Sequence, residues 1–390
     1  MSSNWNVVPF TEAVDICDTL RKPINSSERA SRIKGKEQSE LYPYYGATGQ
    51  VGFIDDYITD GEYVLLGEDG APFLDAFSKK AYIISGKTWV NNHAHVLRSK
   101  TNNKFLCYYL NSFNYKGYVS GTTRLKLTQA EMKRIPVPVP PLSEQERIVA
   151  RIEELFSQLD AGVETLKKTK AQLAVYRQAV LKEAFESVIP ESDTCNVEDV
   201  CKDIKVGIVI KPAQYYTSAD VGVRAFRSAN VREFAVNDSD WVYLTKAGHE
   251  ANLRSEIHTG DVLVVRSGYP GTACVVPPTY NGCNAIDILI AVPYAEKILP
   301  EYLCAYTNSP LGKRIIQEKK RGVAQAHFNV SGYSKTPIIV PCLETQKRVV
   351  AEIDSRLSVC DSIEQTVDTA LQQAEAMRQS ILKDAFEGRL

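Results

Sequence analysis

The sequence lacks any run of about 18 consecutive apolar residues, the length that a membrane-spanning helix needs. Its first ten residues, MSSNWNVVPF, also lack the basic region and apolar run of a secretory signal. The nine Cys are an odd number with no C-x-x-C spacing, and only five His accompany them. We therefore predict a cytoplasmic protein whose cysteines are reduced packing residues, with no metal site.

The chain also lacks an excess of either charge. It has 46 Lys and Arg against 47 Asp and Glu in 390 residues, a formal net charge of −1. Nucleic-acid binders are often strongly basic, so any basic surface here must be local. The length and the 44% of hydrophobic residues predict two or three domains with real cores, and they exclude disorder and a disulfide scaffold.

Catalytic motifs are missing as well. The two Pro-Pro pairs precede Leu142 and Thr279, so the Asn/Asp-Pro-Pro-aromatic signature of base methyltransferases is absent. There is no phosphate-binding G-x-x-x-x-G-K-[ST] loop and no G-x-S-x-G elbow. His93 and His95 share one face of a predicted strand, but a metal would need further ligands, so hydrogen bonding or packing is favoured. We predict that this chain is not an enzyme.

What is present is a long internal repeat. PPLSEQERIVARIEELFSQLD from Pro140 returns as PCLETQKRVVAEIDSRLSVCD from Pro341, and the match continues without a gap to KEAFE and KDAFE. The offset is 201 residues, far longer than the ~20 to 50 residues of solenoid repeats. The chain is therefore predicted to consist of two related halves.

Each copy of the repeat predicts one helix of about 44 residues, because its apolar residues recur in steps of three and four. Ser143 and Glu146 form a candidate capping box at the start of the first helix. Two arrangements fit such long apolar stripes: the helices pair with each other as an antiparallel coiled coil, or each pairs with another chain. We favour the pair within the chain.

The remaining segments predict two mixed α/β globules. Strands are indicated in EYVLLGEDG (62–70), KAYIISG (80–86), DVLVVRSG (261–268) and AIDILIAV (285–292). The fold class is thus α+β, with two mixed α/β domains separated by two long antiparallel helices and an internal pseudo-twofold duplication. The predicted domains span residues 1–139, 140–187, 188–339 and 340–390.

Basic residues cluster within these globules, although residues 1–140 carry only 17 basic against 14 acidic residues and residues 188–340 carry 16 of each. One cluster contains Arg32, Lys34 and Lys36, and another contains Lys319, Lys320 and Arg321. Such clusters can neutralise phosphates, although a solvated surface is the commoner explanation for any one cluster. YPYYGATGQVG (42–52) and RSGYPGTA (266–273) place polar and aromatic residues among glycines, which suits either a ligand-binding loop or simple turns.

Together these features resemble the specificity subunit of a type I restriction-modification system. The resemblance is carried by PVPPLSEQERIV (138–149), PCLETQKRVV (341–350), the repeated LKEAFE and LKDAFE ends, YYGATGQVGFID (44–55) and GTTRLKLT (121–128). It covers essentially the whole chain. The second copy departs from the pattern at Cys342 and Thr345.

The resemblance implies a non-catalytic subunit of a prokaryotic phage-defence system, in which each globule is a target-recognition domain that reads half of a bipartite, asymmetric DNA site. The helices would set the spacing and dock two methyltransferase subunits, which methylate adenine with S-adenosylmethionine. Restriction subunits that use ATP and Mg would join them, and this chain would bind no cofactor itself.

From the loops and clusters above we predict that the following residues bind double-stranded DNA: Arg32, Lys34, Lys36, Tyr44, Tyr45, Thr48, Asn92, His93, Thr123, Arg124, Lys126, Arg227, Arg266, Ser267, Tyr269, Lys319, Lys320, Arg321 and Gln325. From the repeated helix segments we predict that the following residues bind partner subunits: Gln145, Arg147, Phe185, Gln346, Arg348 and Phe386. Two other functions stay open: a structural coiled-coil adaptor whose globules bind protein, and an enzyme that acts on DNA alone.

Overall fold

A computed structural model of the chain describes residues 5–189, 192–321 and 328–390, without the side chains of residues 319–321. It divides into two compact units. Unit 1 comprises Met1–Lys167 and Val367–Leu390, and unit 2 comprises Lys168–Thr366. This division passes through both long helices, and the four domain boundaries named above stay a prediction.

Unit 1 contains two four-stranded sheets with orders β2-β9-β6-β7 and β4-β3-β8-β5, and a small β1-β10 ribbon. Its strands are β1 (Val7–Pro9), β2 (Val14–Ile16), β3 (Tyr42–Tyr45), β4 (Gln50–Ile54), β5 (Thr59–Asp60), β6 (Tyr63–Gly67), β7 (Ala81–Ile84), β8 (Lys87–Val90), β9 (Ala94–Ser99) and β10 (Pro136–Pro138). The helices that begin in this unit are α1 (Phe10–Ala13), α2 (Ser26–Ile33), α3 (Asn103–Ser112), α4 (Gln129–Met132) and α5 (Leu142–Glu186).

Unit 2 repeats the strand order of the first sheet as β12-β21-β18-β19, and its second sheet has the order β13-β17-β14-β20. It also has two small ribbons, β11-β22 and β15-β16. Its strands are β11 (Asp193–Asn196), β12 (Cys201–Val206), β13 (Tyr216–Thr217), β14 (Val223–Phe226), β15 (Val231–Arg232), β16 (Ala235–Val236), β17 (Val242–Leu244), β18 (Val262–Val265), β19 (Ala273–Val275), β20 (Asn284–Ala285), β21 (Ile288–Pro293) and β22 (Pro337–Val340). The helices that begin in it are α6 (Val197–Val200), α7 (Lys246–Glu250), α8 (Pro300–Asn308), α9 (Pro310–Arg321), α10 (Val330–Ser334) and α11 (Leu343–Phe386).

The second sheet of each unit has the same unusual pairing. In unit 1, β3 is parallel to β8 and antiparallel to β4. In unit 2, β14 is parallel to β20 and antiparallel to β17. The globules are therefore related in topology, as the repeat predicted, although the fourth strand of the second sheet is β5 beside β8 in unit 1 and β13 beside β17 in unit 2. The strands expected from the four apolar runs are confirmed.

The two long helices have 45 and 44 residues, as their apolar periodicity predicts. The first helix begins at Leu142, where the Pro141 carbonyl accepts hydrogen bonds from the N–H groups of Glu144 and Gln145. Ser143 therefore lies within the first turn of the helix. The predicted capping box with Ser143 as the N-cap was wrong.

Within each unit the two helices run antiparallel. In unit 1, Ile148 and Ile152 of α5 share a core cluster with Leu382 of α11, and Asp160 forms an ion pair with Arg378. This packing confirms the predicted pairing of the two helices within the chain over this stretch.

In unit 2, Arg177 of α5 contacts Asp361 at 2.6 Å, and Glu183, farther along α5, contacts Arg356, which comes earlier in α11, at 3.0 Å. Residue numbers thus rise on one helix as they fall on the other, which is the antiparallel order. Val180, Leu181 and Ala184 of α5 belong to the same buried core as Val349 and Ile353 of α11.

The helix pair also packs directly on each globule through aromatic rings. In unit 2, the ring of Phe185 lies edge-on to Tyr302 and Tyr306, with both centroid distances 5.2 Å. In unit 1, the Phe386 ring lies 5.2 Å from Phe105 and 5.4 Å from Tyr109. Each aromatic end of the repeat therefore serves as an internal anchor for its helix.

All nine cysteines are free thiols, and most of them are buried. Burial raises the pKa of the Cys107, Cys201 and Cys274 thiols to about 12, so they stay protonated and act as small apolar side chains. The predicted role as reduced packing residues is confirmed for these three. Among the described ranges, no helix is both long and apolar enough to cross a bilayer.

Replacing Phe185 with Ala removes a ring that is 1% exposed and leaves a cavity against two tyrosines. We expect the free energy of unfolding of unit 2 to fall by about 3 to 5 kcal/mol, measured by equilibrium urea denaturation. Val175→Ala, on the same helix at a side chain 71% exposed, is the matched control and should change it by less than about 0.5 kcal/mol. Equal effects of the two changes would contradict the anchor.

Candidate nucleic-acid interface

A cleft of about 720 Å³ lies in unit 1 where several loops meet. The loops after β3, β6 and β8 contribute Thr48, Asp69 and His93, and the turn before α4 contributes Thr123 and Arg124. Because β3 and β8 are parallel, their carboxyl ends reach the same edge of the sheet. The structure therefore brings together four of the predicted DNA-binding residues, which are Thr48, His93, Thr123 and Arg124.

Two carboxylates, those of Asp69 and Glu68, contact the basic side chains around this cleft. Asp69 Oδ1 lies 2.6 Å from Arg124 Nε, and Asp69 Oδ2 lies 3.6 Å from His93 Nδ1. Glu68 Oε1 lies 3.5 Å from Lys126 Nζ. The backbone reinforces this arrangement, since the Leu127 N–H donates to the Glu68 carbonyl at 2.8 Å. The turn that carries the basic residues is thus fixed to the end of β6.

Beneath the cleft, His95 is fully buried. Its Nδ1 lies 2.8 Å from Asp18 Oδ2, and its Nε2 lies 3.1 Å from the Leu127 carbonyl. Each ring nitrogen of His95 thus has a hydrogen-bond partner inside the protein. The expected hydrogen-bonding role of His95 is confirmed.

Asp18 is the other half of this buried pair. Burial by itself would raise the pKa of its carboxyl, but hydrogen bonds from His95, the Val96 N–H and Gln129 outweigh it and lower the pKa. The ionised carboxylate is therefore favoured in the folded protein. It ties β9 to the segment that follows the basic turn.

The first basic cluster is largely neutralised inside the chain. Arg32 Nε donates to Asp55 at 2.6 Å while its guanidinium lies 5.1 Å from the Trp89 ring centroid, and Lys36 Nζ donates to Asp55 at 3.1 Å. Burial would raise the pKa of the Asp55 carboxyl, but these two cations lower it. Lys34 is exposed at the end of α2.

The two tyrosines of the glycine-bearing loop, Tyr44 and Tyr45, differ in how deeply they are buried. Tyr44 is 3% exposed, and its hydroxyl donates to the Ile24 carbonyl at 3.4 Å. Tyr44 therefore cannot touch DNA in this structure, and that prediction was wrong because β3 turns this ring inward. Tyr45 is half-buried against Tyr82, and Asn92 is exposed beside the cleft residue His93.

Unit 2 has its own cleft of about 800 Å³. It lies along the loop after β18, where it is lined by Ser267 and Tyr269, and Tyr269 is 85% exposed. Arg232 and Lys313 also line it, and Lys313 forms an ion pair with Glu233. Two of the predicted DNA-binding residues, Ser267 and Tyr269, thus line a second cleft.

Two predicted arginines of unit 2 are held by carboxylates. Arg266 Nη1 lies 3.2 Å from Asp287, and Arg227 Nη2 donates to the Asp240 carbonyl at 2.6 Å and to its carboxylate at 2.9 Å. The buried Nε of each arginine has no acceptor among the described residues. Lys319, Lys320 and Arg321 end α9, with side chains outside the described part, and Gln325 lies outside the described residues.

Among the described residues, no group of three or more His, Cys, Asp or Glu side chains is placed to hold a metal ion.

The two repeated glutamines, Gln145 and Gln346, form hydrogen bonds within their own chain. Gln145 is 1% exposed, donates to the Pro140 carbonyl at 2.8 Å and accepts from the Thr101 hydroxyl at 2.9 Å. Gln346 is fully buried, donates to the carbonyls of Pro341 and Lys297, both at 2.9 Å, and accepts from the Leu299 N–H. Their predicted role in partner binding was wrong, because every polar group of these side chains faces its own chain.

Phe185 was also wrongly predicted to bind a partner, because it is buried against Tyr302 and Tyr306. Phe386 is partly buried against Phe105 and Tyr109, so most of its ring is used internally. Arg147 and Arg348 are exposed on their helices, and their partner binding stays a prediction.

The carboxylates of the clefts were missed by the sequence analysis. Asp18, Glu68 and Asp69 in unit 1 and Asp287 in unit 2 hold the basic residues in place. One signal was present in the sequence, since the acidic pair of GEDG directly follows a buried strand and precedes a glycine.

Replacing Asp18 with Asn should destabilise the protein at pH 7, because the lowered pKa of Asp18 means that its charged form stabilises the fold. That contribution is present above the unfolded pKa of about 3.9 and is lost as the pH falls through the lower folded value. The difference between wild type and variant should therefore shrink below about pH 4, measured by urea denaturation across pH. A difference that stayed constant would contradict the buried pair.

The chain is similar in sequence to proteins of known family. Residues 3–174 match the model of the type I restriction modification DNA specificity domain. The type I restriction enzyme specificity subunit S.HindORF215P of Haemophilus influenzae is 28% identical over 377 residues, which cover 94% of this chain and 91% of that protein. The EcoKI specificity subunit of Escherichia coli K12 is 25% identical over 309 residues, covering 73% of this chain and 65% of that protein.

The fold agrees with these relatives. A solved structure reported for complex assembly and conformational transition of the type I R-M system has a TM-score of 0.73 to this chain at 17% identity. The superposition covers 100% of this chain and 99% of the chain in that structure. The first part of the chain therefore matches the DNA specificity domain of type I restriction-modification systems, and nearly the whole chain is similar to a type I restriction enzyme specificity subunit.

Proposed function

We propose that the globule of each unit reads one half of a bipartite, asymmetric site in double-stranded DNA. The observation that carries this proposal is that the two units share the strand order of the first sheet and the mixed parallel and antiparallel pairing of the second. Each unit also has a cleft that contains polar and basic side chains. The scaffold is shared, whereas the side chains in the two clefts differ. This combination suits two readers of the same kind of ligand with different sequence preferences.

The side chains of the clefts are of the right types for DNA. Arginine recognises guanine through two parallel hydrogen bonds, threonine and serine hydroxyls reach phosphates, and lysine neutralises phosphate charge. Thr48, Thr123 and Arg124 line the cleft of unit 1, and Ser267 and Lys313 line the cleft of unit 2. The carboxylates beside them balance these cations, which agrees with the near-neutral charge of the chain.

We further propose that the two long helices set the spacing between the half-sites and dock two methyltransferase subunits. Helices of 45 and 44 residues extend about 65 Å at ~1.5 Å per residue, compared with ~34 Å for one turn of DNA. Arg147 and Arg348 are exposed near the starts of the helices, where a partner can reach them. Restriction subunits, together with S-adenosylmethionine, ATP and Mg on the partner subunits, complete the proposed complex in the prokaryotic cytoplasm.

Duplex binding by the complex of this chain with its methyltransferase partner tests the proposal. We expect affinity to depend on sequence at two separated positions. We also expect the logarithm of the binding constant to fall linearly with the logarithm of salt concentration, because basic side chains release counterions from the phosphates. Equal affinity for all duplexes would contradict the proposal and favour an adaptor whose globules bind protein. DNA methylation by this chain alone would instead favour an enzyme.

Lengthening both helices should change the spacing and nothing else. Insertion of seven helical residues after residue 167 and seven after residue 366 adds about 10 Å to each helix, or roughly three base pairs of DNA. We expect the unread spacer of the methylated motif to lengthen while both half-sites keep their sequences. Inserting the same residues in one helix only is the control, and it should disrupt the pairing and abolish methylation. Altered half-sites in the doubly lengthened protein would contradict the spacer role.

A further inference from the structure

The strand that ends in each cleft can be aligned residue by residue between the two units. In unit 1, the Leu127 N–H donates to the Glu68 carbonyl at 2.8 Å. In unit 2, the Phe328 N–H donates to the Arg266 carbonyl at 3.1 Å. Leu127 and Phe328 differ by the 201 residues of the repeat, so these are the same backbone contact in the two units. Glu68 is therefore equivalent to Arg266.

The residues at these equivalent positions differ in charge. The position after Glu68 is Asp69, whereas the position after Arg266 is Ser267, and both line their clefts. The acidic pair of unit 1 is thus replaced by an arginine and a hydroxyl in unit 2. Because the backbone is shared, this difference marks a position where the two units are built for different ligands.

In unit 1, Asp69 holds one edge of the Arg124 guanidinium. The contact is made at Nε, 2.6 Å from Oδ1, while the Asp69 side chain is 26% exposed and that of Arg124 is 59% exposed. Asp69 is the one acidic partner of Arg124 in the described part of the chain. The Nη1 and Nη2 end of the guanidinium is therefore the end left to meet a ligand.

Two glycines make room for this arrangement. Gly70 has φ +78°, and a Cβ there would lie 3.1 Å from Arg124 Nε, so the guanidinium rests against the bare backbone. Gly121 has φ +95°, and a Cβ there would lie 2.4 Å from the Arg124 carbonyl, which only a glycine avoids in this turn. The backbone thus selects both the position of Arg124 and the face that it presents.

An arginine held in this way is suited to reading a base. The Nη1 and Nη2 groups match the O6 and N7 acceptors of guanine in the major groove, which is the commonest specific contact of arginine with DNA. A guanidinium already oriented by a carboxylate loses less freedom when it binds, and its fixed direction favours one base over others. An arginine that merely contacts phosphate needs no such orientation.

We propose that Arg124 reads a guanine in the half-site bound by unit 1, and that Asp69 is the positioning residue that presents its Nη1 and Nη2 edge. This assignment rests on the proposed function, because it takes the cleft of unit 1 as a DNA-reading surface. It makes Asp69, an acidic residue, a determinant of sequence specificity. Unit 2 has no carboxylate at the equivalent position, so its half-site is read by a different set of side chains.

The test uses the complex of this chain with its methyltransferase partner and a set of duplexes in which each base pair of the methylated motif is changed in turn. Arg124→Ala should lose a roughly 10-fold to 100-fold preference for one G·C pair in one half-site, with the preferences in the other half-site unchanged. Arg124→Lys should not restore the preference, because an ammonium group lacks the two parallel donors.

The Asp69→Ala variant distinguishes a positioning role of Asp69 from a purely structural one. It should weaken the preference at the same G·C pair, while affinity for unrelated duplexes rises or stays level because a negative charge near the phosphates has been removed. Asp69→Glu should recover part of the preference, since it keeps the carboxylate. Asp60→Asn, which removes one charge from an exposed position of the same unit, is the matched control and should leave every preference unchanged.

Several results would overturn the assignment while leaving the proposed function intact. These are an unchanged preference in Arg124→Ala, an equal loss of affinity for all duplexes, or a half-site affected by Arg124 that contains no G·C pair at the sensitive position. A wild-type complex without any sequence preference would overturn the proposed function itself.

Discussion

A buried glutamine at the start of each long helix fixes how that helix leaves its globule, and the rest of the structure depends on this junction. Gln145 and Gln346 each donate to the carbonyl of the proline five residues earlier and accept a hydrogen bond from the globule. A buried amide left unpaired would cost about 1 to 3 kcal/mol, so the satisfied geometry is strongly preferred. The direction of each helix is therefore tied to the globule in which the helix begins.

The opposite end of each helix repeat is fixed by an aromatic ring. Phe185 packs on Tyr302 and Tyr306 in unit 2, and Phe386 packs on Phe105 and Tyr109 in unit 1. Within each unit, one helix is thus fastened where it begins and the other where it ends. Under the proposed function, in which the chain sets the distance between two DNA half-sites, such junctions matter more than total stability, because a loose junction would make the spacing variable.

The sequence alone predicted the architecture well, because its main signals are periodic and local. The apolar steps of three and four gave both long helices, and runs of apolar residues bounded by glycine gave the central strands. The start of the first helix was misplaced because Ser143 is a favoured N-cap by residue type, whereas the carbonyl that accepts the first N–H groups is that of Pro141.

The candidate site was less predictable for a physical reason. The contacts that organise it, such as Asp69 with Arg124 and Asp18 with His95, join residues that are distant in sequence and meet only when the sheets form. Repetition was also misleading for Gln145, Gln346 and Phe185. A residue repeated in both halves can serve internal fastening as well as partner docking, and sequence cannot distinguish these roles.

The central claim is that one chain carries two independent DNA readers on a fixed spacer. Methylome sequencing of cells that express this chain with its methyltransferase subunit tests it most directly. The account predicts one bipartite motif, with two different half-sites separated by base pairs of fixed number and variable sequence. A methylated motif that is continuous, or that consists of a single half-site, would contradict it.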